Sequence, residues 1–293
     1  MALLLGVDLG GTSVKLGTCD ERGRVRESTS IPTRPGRGPR AVVADIAAAA
    51  RGLQGFGAAR VVGIGAPGPL DLRRTRILVA PNLGWENVPL PRLLEAGLGR
   101  RVRLENDANC AAYAEWSAGA GKGTSSLALY TLGTGVGGGL VLDGRLWTGA
   151  AGGAAEFGHV QIDPGGPACA CGRRGCLEAF ASATAVTRAA GARSAEEAFR
   201  SRSPRARKAV EGAVAALGAA IAGVFNVLQP ERFVISGGMA VAGAGFLGRV
   251  RRAARERVFE DYRRRLVIVP GKLGSNAGWI GAALLANQGR NMK

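Results

Sequence analysis

His159 is the single histidine of the chain, and Cys169, Cys171 and Cys176 follow it within eighteen positions. One imidazole and three thiols so close in sequence suit tetrahedral Zn2+. A Cys-x-Cys pair has poor geometry for a disulfide, and disulfides are rare in the cytoplasm, where this chain is expected to reside. Cys19 and Cys110 lie far away in sequence and read as ordinary buried thiols.

Two glycine-rich turns offer a different chemistry. Asp8-Leu9-Gly10-Gly11-Thr12 leads into a strand carrying Lys15, and Gly133-Thr134-Gly135 lies between two further apolar runs. Glycine tolerates positive φ and lets a phosphate come close to several backbone N–H groups, so two such turns can clasp a polyphosphate. Thr12 adds a hydroxyl and Lys15 a cation. Asp8 cannot bind phosphate directly, but it can hold a hydrated Mg2+ that phosphate oxygens also ligate. A tight hairpin alone would also explain Gly10 and Gly11; finding the pattern twice argues against that.

Carboxylates and amides complete the inventory. Glu105-Asn106-Asp107-Ala108-Asn109 sits where a strand gives way to a helix, a place that favours Asp and Asn for capping alone. Glu156 precedes His159 by three residues and Glu178 follows Cys176 by two, so a bound metal would pin both. Rigid carboxylates accept hydrogen bonds from hydroxyls in defined directions. Position alone leaves either as a surface acid. Gly63 to Gly68, a glycine turn after a strand, and Pro81-Asn82-Leu83-Gly84-Trp85 are two further stretches from which Gly65 and Asn82 can reach a ligand, though plain loops would explain both.

These residues need a frame, and the sequence repeats one. A first copy runs Leu3 to Val7, the glycine turn, Val14 to Cys19, a turn at Asp20 to Gly23, and Val25 onward; a second runs Leu127 to Leu132, the turn, Val136 to Leu142, an Asp143-Gly144 hairpin, and Arg145 to Trp147. Helices are expected at about Pro39 to Gly52, Ala108 to Ala118, Ala183 to Ala190, Pro204 to Leu228, Phe246 to Phe259 and Gly278 to Ala286. Further strands are expected at Arg60 to Gly65, Val102 to Glu105, Arg232 to Ser236 and Leu266 to Val269. This is α/β grammar in two lobes: residues 1–108 with the helix 279–293 packed back on them, and residues 109–278, with a cleft between.

The 293 residues carry 39 Lys and Arg against 22 Asp and Glu, a formal charge of +17. Much of the excess is arginine in Arg200 to Lys208 and Arg249 to Arg265. No aromatic residues are interleaved to stack bases, and Val250, Ala253, Ala254 and Val258 mark the apolar side of an amphipathic helix, so solvated faces explain the charge better than nucleic acid does. The longest apolar stretches, Ala41 to Ala50 and Val210 to Val224, fall short of the roughly 20 residues of a membrane span. The N-terminus reads as a first strand and not as a leader, which leads to the expectation of a cytoplasmic protein.

Asp8-Leu9-Gly10-Gly11-Thr12-Ser13-Val14-Lys15 resembles the first phosphate motif of the actin-like sugar kinase superfamily, and Leu132 to Gly139 its second; Ser236-Gly237-Gly238 is similar to the motif that lies against adenosine. Cys169-Ala170-Cys171-Gly172-Arg173-Arg174-Gly175-Cys176-Leu177-Glu178 resembles the zinc motif of the repressor, open reading frame and kinase (ROK) family. The resemblance covers essentially the whole chain. It implies the two-lobed actin-like (ribonuclease H-like) fold, ATP and Mg2+ as cofactors with a structural Zn2+, and transfer of phosphate to the 6-hydroxyl of a hexose. Asp107 would be the general base, Asn106 would hold a neighbouring hydroxyl, and Glu156, His159 and Glu178 would contact the sugar. Asn82 to Trp85 are similar to the glucokinases of the family, which favours glucose over fructose and N-acetylated hexoses, while a kinase for another hexose such as mannose stays open as the alternative. Polyphosphate could replace ATP in the same turns. Homodimers are common in the family, and a homodimer is expected. Family repressors carry a DNA-binding segment ahead of the first phosphate motif, for which a motif starting at Asp8 leaves no room; the expectation is therefore an enzyme that binds neither nucleic acid nor membrane.

Overall fold

The computed structural model describes residues 3–241 and 245–288. Two compact units divide it: Met1–Gly123, Leu146–Ala154 and Ser275–Lys293 form the first, and Thr124–Arg145 with Ala155–Gly274 the second.

In the first unit, β1 (Leu4–Leu9), β2 (Ser13–Cys19) and β3 (Val25–Pro32) form an antiparallel meander, and α1 (Pro39–Gly52) leads to β4 (Val61–Ala66). A small hairpin of β5 (Ile77–Ala80) and β6 (Trp85–Val88) comes next, then α2 (Leu90–Leu98), β7 (Arg101–Asn106) and α3 (Asp107–Ser117). The five main strands lie in the order β3-β2-β1-β4-β7, with β4 and β7 parallel to β1. Neither β1 nor β4 alternates between apolar and polar residues; their near-continuous apolar runs are buried on both faces, as parallel strands covered by helices require.

The second unit repeats this plan. β8 (Leu127–Leu132), β9 (Val136–Leu142) and β10 (Arg145–Leu146) open it, followed by α4 (Glu178–Ala181), α5 (Ala183–Ala190), α6 (Ala195–Arg200) and α7 (Pro204–Leu228). Then come β11 (Arg232–Ser236), α8 (Gly238–Val241), α9 (Phe246–Arg255) and β12 (Ile268–Pro270). The strand order is β10-β9-β8-β11-β12, and β9-β8-β11-β12 shows the same sequence of antiparallel and parallel neighbours as β2-β1-β4-β7 in the first sheet. The duplication read from the glycine turns is therefore a duplication of whole sheets.

The chain closes with α10 (Ala277–Gln288), which returns to the first unit and packs on β1, β4 and α3. Its backbone lies directly on the sheet: a Cβ at Gly6 or Gly63 would fall 1.8 Å from the carbonyl oxygen of Trp279 or Ala282. Burial nearly all round explains why its sequence shows no polar face.

Three expectations need correction. The first unit extends past residue 108 to Gly123, because α3 packs on α10 and β4, and it also takes Leu146–Ala154. Helix α9 stops at Arg255 instead of Phe259, whose N–H is taken by the Asn226 side chain at 3.2 Å, and a 3-10 turn over Glu260–Arg265 follows. Finally, α7 is long and apolar enough to cross a membrane by length and composition, contrary to the reading of its interrupted apolar run. More than half of that stretch is buried inside the second unit, where Val210, Val214, Leu217, Ile221 and Phe225 join the core with Phe233 and Val250.

Candidate functional site

In the first unit, the parallel ladder brings chemistry-bearing residues to one level. Asp8 pairs with Gly65, Gly65 with Glu105 and Ala66 with Asn106, so three strand ends deliver the first acid, the glycine and the Glu105-Asn106-Asp107 cluster side by side. Lys15 lies opposite Asp8 across the hairpin. Burial pushes the Asp8 carboxyl up to about 6, an effect that the Lys15 charge partly offsets. Its tip rests on α10, where a Cβ at Gly278 would come within 2.5 Å of Oδ2. In the second sheet Thr131 occupies the place of Asp8, one residue before the end of the first strand, so the fold does not itself demand an acid there.

The first turn is a four-residue connection between Leu9 and Val14. Gly10 N–H donates to Ser13 O at 3.1 Å, and Thr33 holds the turn from outside, its N–H on Thr12 O (3.0 Å) and its hydroxyl on Gly10 O (2.6 Å). None of these bonds uses the N–H groups of Gly11 and Thr12. Asn82 is exposed and packs on this turn: a Cβ at Gly11 would lie 3.2 Å from Asn82 Cβ. The segment expected as a plain loop is a 3-10 turn (Pro81–Leu83) leading into β6 at Trp85.

Asp107 is the first residue of α3. Asn106 caps the helix, its Oδ1 accepting from Ala108 N (2.9 Å) and Asn109 N (3.1 Å), while Asp107 Oδ1 also accepts from Ala108 N at 2.8 Å. Capping is thus done mainly by Asn106. Gly65 lies beneath, with room for a Cβ only at 3.4 Å from Asp107 Cα and 3.3 Å from Cys110 Sγ. Behind the cluster, Arg74 grips Glu105 through Nε–Oε2 and Nη2–Oε1, both 3.2 Å, and donates to Gly152 O at 2.9 Å. Glu105 Oε1 in turn accepts from Asn106 N (2.9 Å) and Asn109 Nδ2 (3.1 Å). This pairing of Arg74 with Glu105 is not visible in the sequence; the left-handed φ of 55° at Arg74 belongs to a turn that spacing does not reveal.

In the second unit, the turn between Leu132 and Val136 has three residues, with Gly133 N–H bonded to Gly135 O at 3.0 Å. The sequence reading expects these glycines to use positive φ, yet Gly10, Gly11, Gly133 and Gly135 are all outside that region; of the glycines in the phosphate and adenosine motifs, Gly237, at φ 94°, is the one that uses it. Gly10 and Gly135 are short of space: a Cβ at Gly10 would fall 2.8 Å from Ser13 O. A Cβ at Gly135 would meet Glu178 Oε2 at 2.5 Å, whereas Gly133 and Gly238 face open space that a ligand can enter. Gly237 follows β11 and lies over the end of β8, where its Cβ would strike Leu132 O at 2.3 Å.

Four donor atoms, from His159, Cys169, Cys171 and Cys176, lie within 4.8 Å of one another. Cys171 Sγ and Cys176 Sγ are 3.7 Å apart, and Cys169 Sγ and His159 Nδ1 3.8 Å apart. A tetrahedron with Zn–S of about 2.3 Å and Zn–N of about 2.0 Å has edges of roughly 3.5–3.8 Å; these two pairs lie at that spacing and all four donors stay within 4.8 Å, so the group is of the right type and near the right size for the ion. The fold supplies this spacing through bridges between Gln161 and Cys176 and between Ala168 and Arg174, and through a tight turn in which Gly172 N–H bonds Cys169 O at 3.1 Å. Cys19 and Cys110 are buried away from the cluster, and burial pushes the Cys110 thiol well up.

Glu156 and His159 ride on a segment pressed onto β9, where Cβ atoms at Gly138 and Gly158 would overlap Ala155 O and Val136 O. Glu156 is exposed. Glu178 is not a free acid: Oε2 accepts from Val136 N at 2.9 Å, and Oε1 lies 3.8 Å from Cys169 Sγ. The structure thereby brings Glu156, His159, Glu178, the cluster and the second glycine turn together in one unit, and Asp8, Lys15, Gly65, Asn82, Asn106 and Asp107 in the other.

Comparison with known proteins gives the same answer. The ROK family model matches residues 4–289. The glucokinase of Streptomyces coelicolor is 35% identical, with 98% of each chain covered. Among solved structures, a ROK hexokinase from Thermus thermophilus superposes with a TM-score of 0.89 at 36% identity, covering 99% of this chain and all of that one. A ROK glucokinase from Streptomyces griseus, solved with glucose and AMPPNP, gives 0.85 at 34% identity over 98% and 99%. With its paired sheets, two glycine turns and full-length likeness to these enzymes, the chain belongs to the ROK family, has the actin-like ATPase fold, and is a sugar kinase.

Proposed function

We propose that the protein is a glucokinase that transfers the γ-phosphoryl group of ATP to the 6-hydroxyl of glucose. The full-length likeness to glucokinases carries this reading, in a chain that keeps a carboxylate at Asp107 beside the amide of Asn106. Asp107 accepts the proton of the 6-hydroxyl as that oxygen bonds the γ-phosphorus; the bond from γ-phosphorus to the bridging oxygen breaks, and ADP leaves with the electron pair. A loose transition state asks for little base strength and much positioning, which suits an acid held at a helix N-terminus.

Asn106 and Asn82 orient the sugar, and Glu156, His159 and Glu178 select its hydroxyl configuration. Gly11, Thr12, Lys15, Thr134 and Gly135 hold the phosphates, and Gly238, reached through the left-handed turn at Gly237, leaves room for the adenosine. Mg2+ supplies charge to the phosphate oxygens, and Asp8 would hold it through its water shell. The four-donor cluster would hold a structural Zn2+, with His159 bound through Nδ1 and Nε2 left for a sugar hydroxyl. A homodimer is part of this reading, to be checked by light scattering. The ROK family also includes kinases for other sugars and regulators. A coupled assay of ADP release over a panel of hexoses, with ATP and with polyphosphate as donor, tests substrate and donor together; a preference for an N-acetylated hexose would replace glucose in the account.

A further inference from the structure

Both glycine turns are short and weakly self-bonded, and each is gripped from outside by one hydroxyl and one N–H on two of its carbonyl oxygens. In the first unit Thr33 supplies both, immediately after β3, which runs eight residues alongside β2 back to the turn. The second unit cannot copy this. Its counterpart strand, β10, has two residues and ends far from the turn. The grip comes instead from beyond the metal cluster: Ala183 N–H donates to Gly133 O at 2.8 Å, and Thr184 Oγ1 donates to Thr134 O at 2.9 Å. Glu178 adds a third bond, from Val136 N–H to Oε2. Between Cys176, a donor of the cluster, and Ala183 lie only Leu177, the four residues of α4 and Ser182, and Leu177 is itself tied to Val160 by its N–H at 2.9 Å.

We propose that residues 176–184 are a strap that fixes the second glycine turn in its nucleotide-binding shape, with Thr184 a positioning residue, so that occupancy of the metal cluster is read out in nucleotide affinity. The proposal rests on the kinase reading of the turn. Releasing the metal frees the Cys176 end of the strap, and with it the three bonds that hold Gly133, Thr134 and Val136. A metal module whose recognised neighbours are sugar-facing acids then acts on the other substrate as well.

Isothermal titration calorimetry of the full chain with a nonhydrolysable ATP analogue and Mg2+, and separately with glucose, tests this. Thr184 is exposed, so Thr184→Val removes the hydroxyl without disturbing a core. The expected result is a nucleotide Kd raised about three- to tenfold, the worth of one hydrogen bond, with the glucose Kd within about twofold of wild type and with Thr184→Ser restoring the original value. Wild-type protein freed of metal by a chelator, with loss confirmed by atomic emission, should lose at least as much nucleotide affinity. A Thr184→Val protein within twofold of wild type, or metal-free protein with unchanged nucleotide Kd, overturns the strap while leaving the kinase intact. Wild-type protein that binds no nucleotide overturns the kinase reading and the strap together.

Discussion

Arg74 should matter more to turnover than to binding. Its guanidinium makes two contacts of 3.2 Å with Glu105 and one of 2.9 Å with Gly152 O, and the two side chains are only 18% and 16% exposed. Glu105 passes this restraint to the Asn106 N–H and the Asn109 amide, which set the start of α3 and hence the place of Asp107. Arg74→Met keeps the aliphatic stem and removes the charge. A charge-assisted pair at partial burial is worth about 2 kcal/mol, below the roughly 3–5 kcal/mol of a fully buried pair because Glu105 keeps its two amide donors. In a chain of this size that corresponds to a Tm lower by roughly 3–5 °C. Loosening a catalytic acid by a fraction of an ångström costs on the order of 10–100-fold in kcat. Steady-state kinetics should therefore show kcat falling about that much with the KM for ATP within twofold, while Arg74→Lys recovers part of the loss. A kcat within twofold of wild type in a protein whose Tm has dropped by several degrees would refute the reasoning and leave Arg74 a structural brace.

Other expected outcomes follow from the same geometry. Because burial raises the Asp8 carboxyl from 3.8 to about 6, the folded protein loses stability as pH climbs through that interval; the penalty is at most about 3 kcal/mol and is complete above it. Asp8→Asn should then raise the Tm of the ligand-free protein by a few degrees at pH 8 and progressively less toward pH 4, and an equal change at both ends would contradict the burial argument. Gly278→Val places a Cβ within 2.5 Å of Asp8 Oδ2, so the KM for ATP·Mg should rise several-fold while the glucose Kd stays unchanged. Elemental analysis should find one zinc per chain, and Cys176→Ala, which removes a fully buried donor, should lose it and unfold at lower temperature. Full zinc retention by that variant would remove Cys176 from the ligand set.

Much of this architecture is legible in the sequence because its strands are continuous apolar runs punctuated by glycine turns. Leu127–Leu132, Val136–Leu142, Arg232–Ser236 and the helices Pro39–Gly52 and Pro204–Leu228 lie where the pattern places them. The elements that escape it are short or locally contradictory: β5 and β6 have four residues each, and α2 contains both Pro91 and Gly97. The metal donors can be read because they are rare residue types close in sequence. Arg74, Glu105 and Gly152 meet only through the tertiary fold, and one arginine among many in a chain of charge +17 gives no local signal. The reason for glycine at position 135 is also hidden, since Glu178, forty-three residues later, sets the space available.

The most direct test of the central claim is glucose phosphorylation by wild-type protein and by Asp107→Asn, measured by coupled ADP release, with glucose affinity measured by calorimetry on the same samples. The account predicts ATP-dependent turnover of glucose by the wild type and a loss of at least about a thousandfold in kcat in the variant, which still binds glucose. Turnover by Asp107→Asn within tenfold of wild type would contradict the assignment of Asp107 as the base.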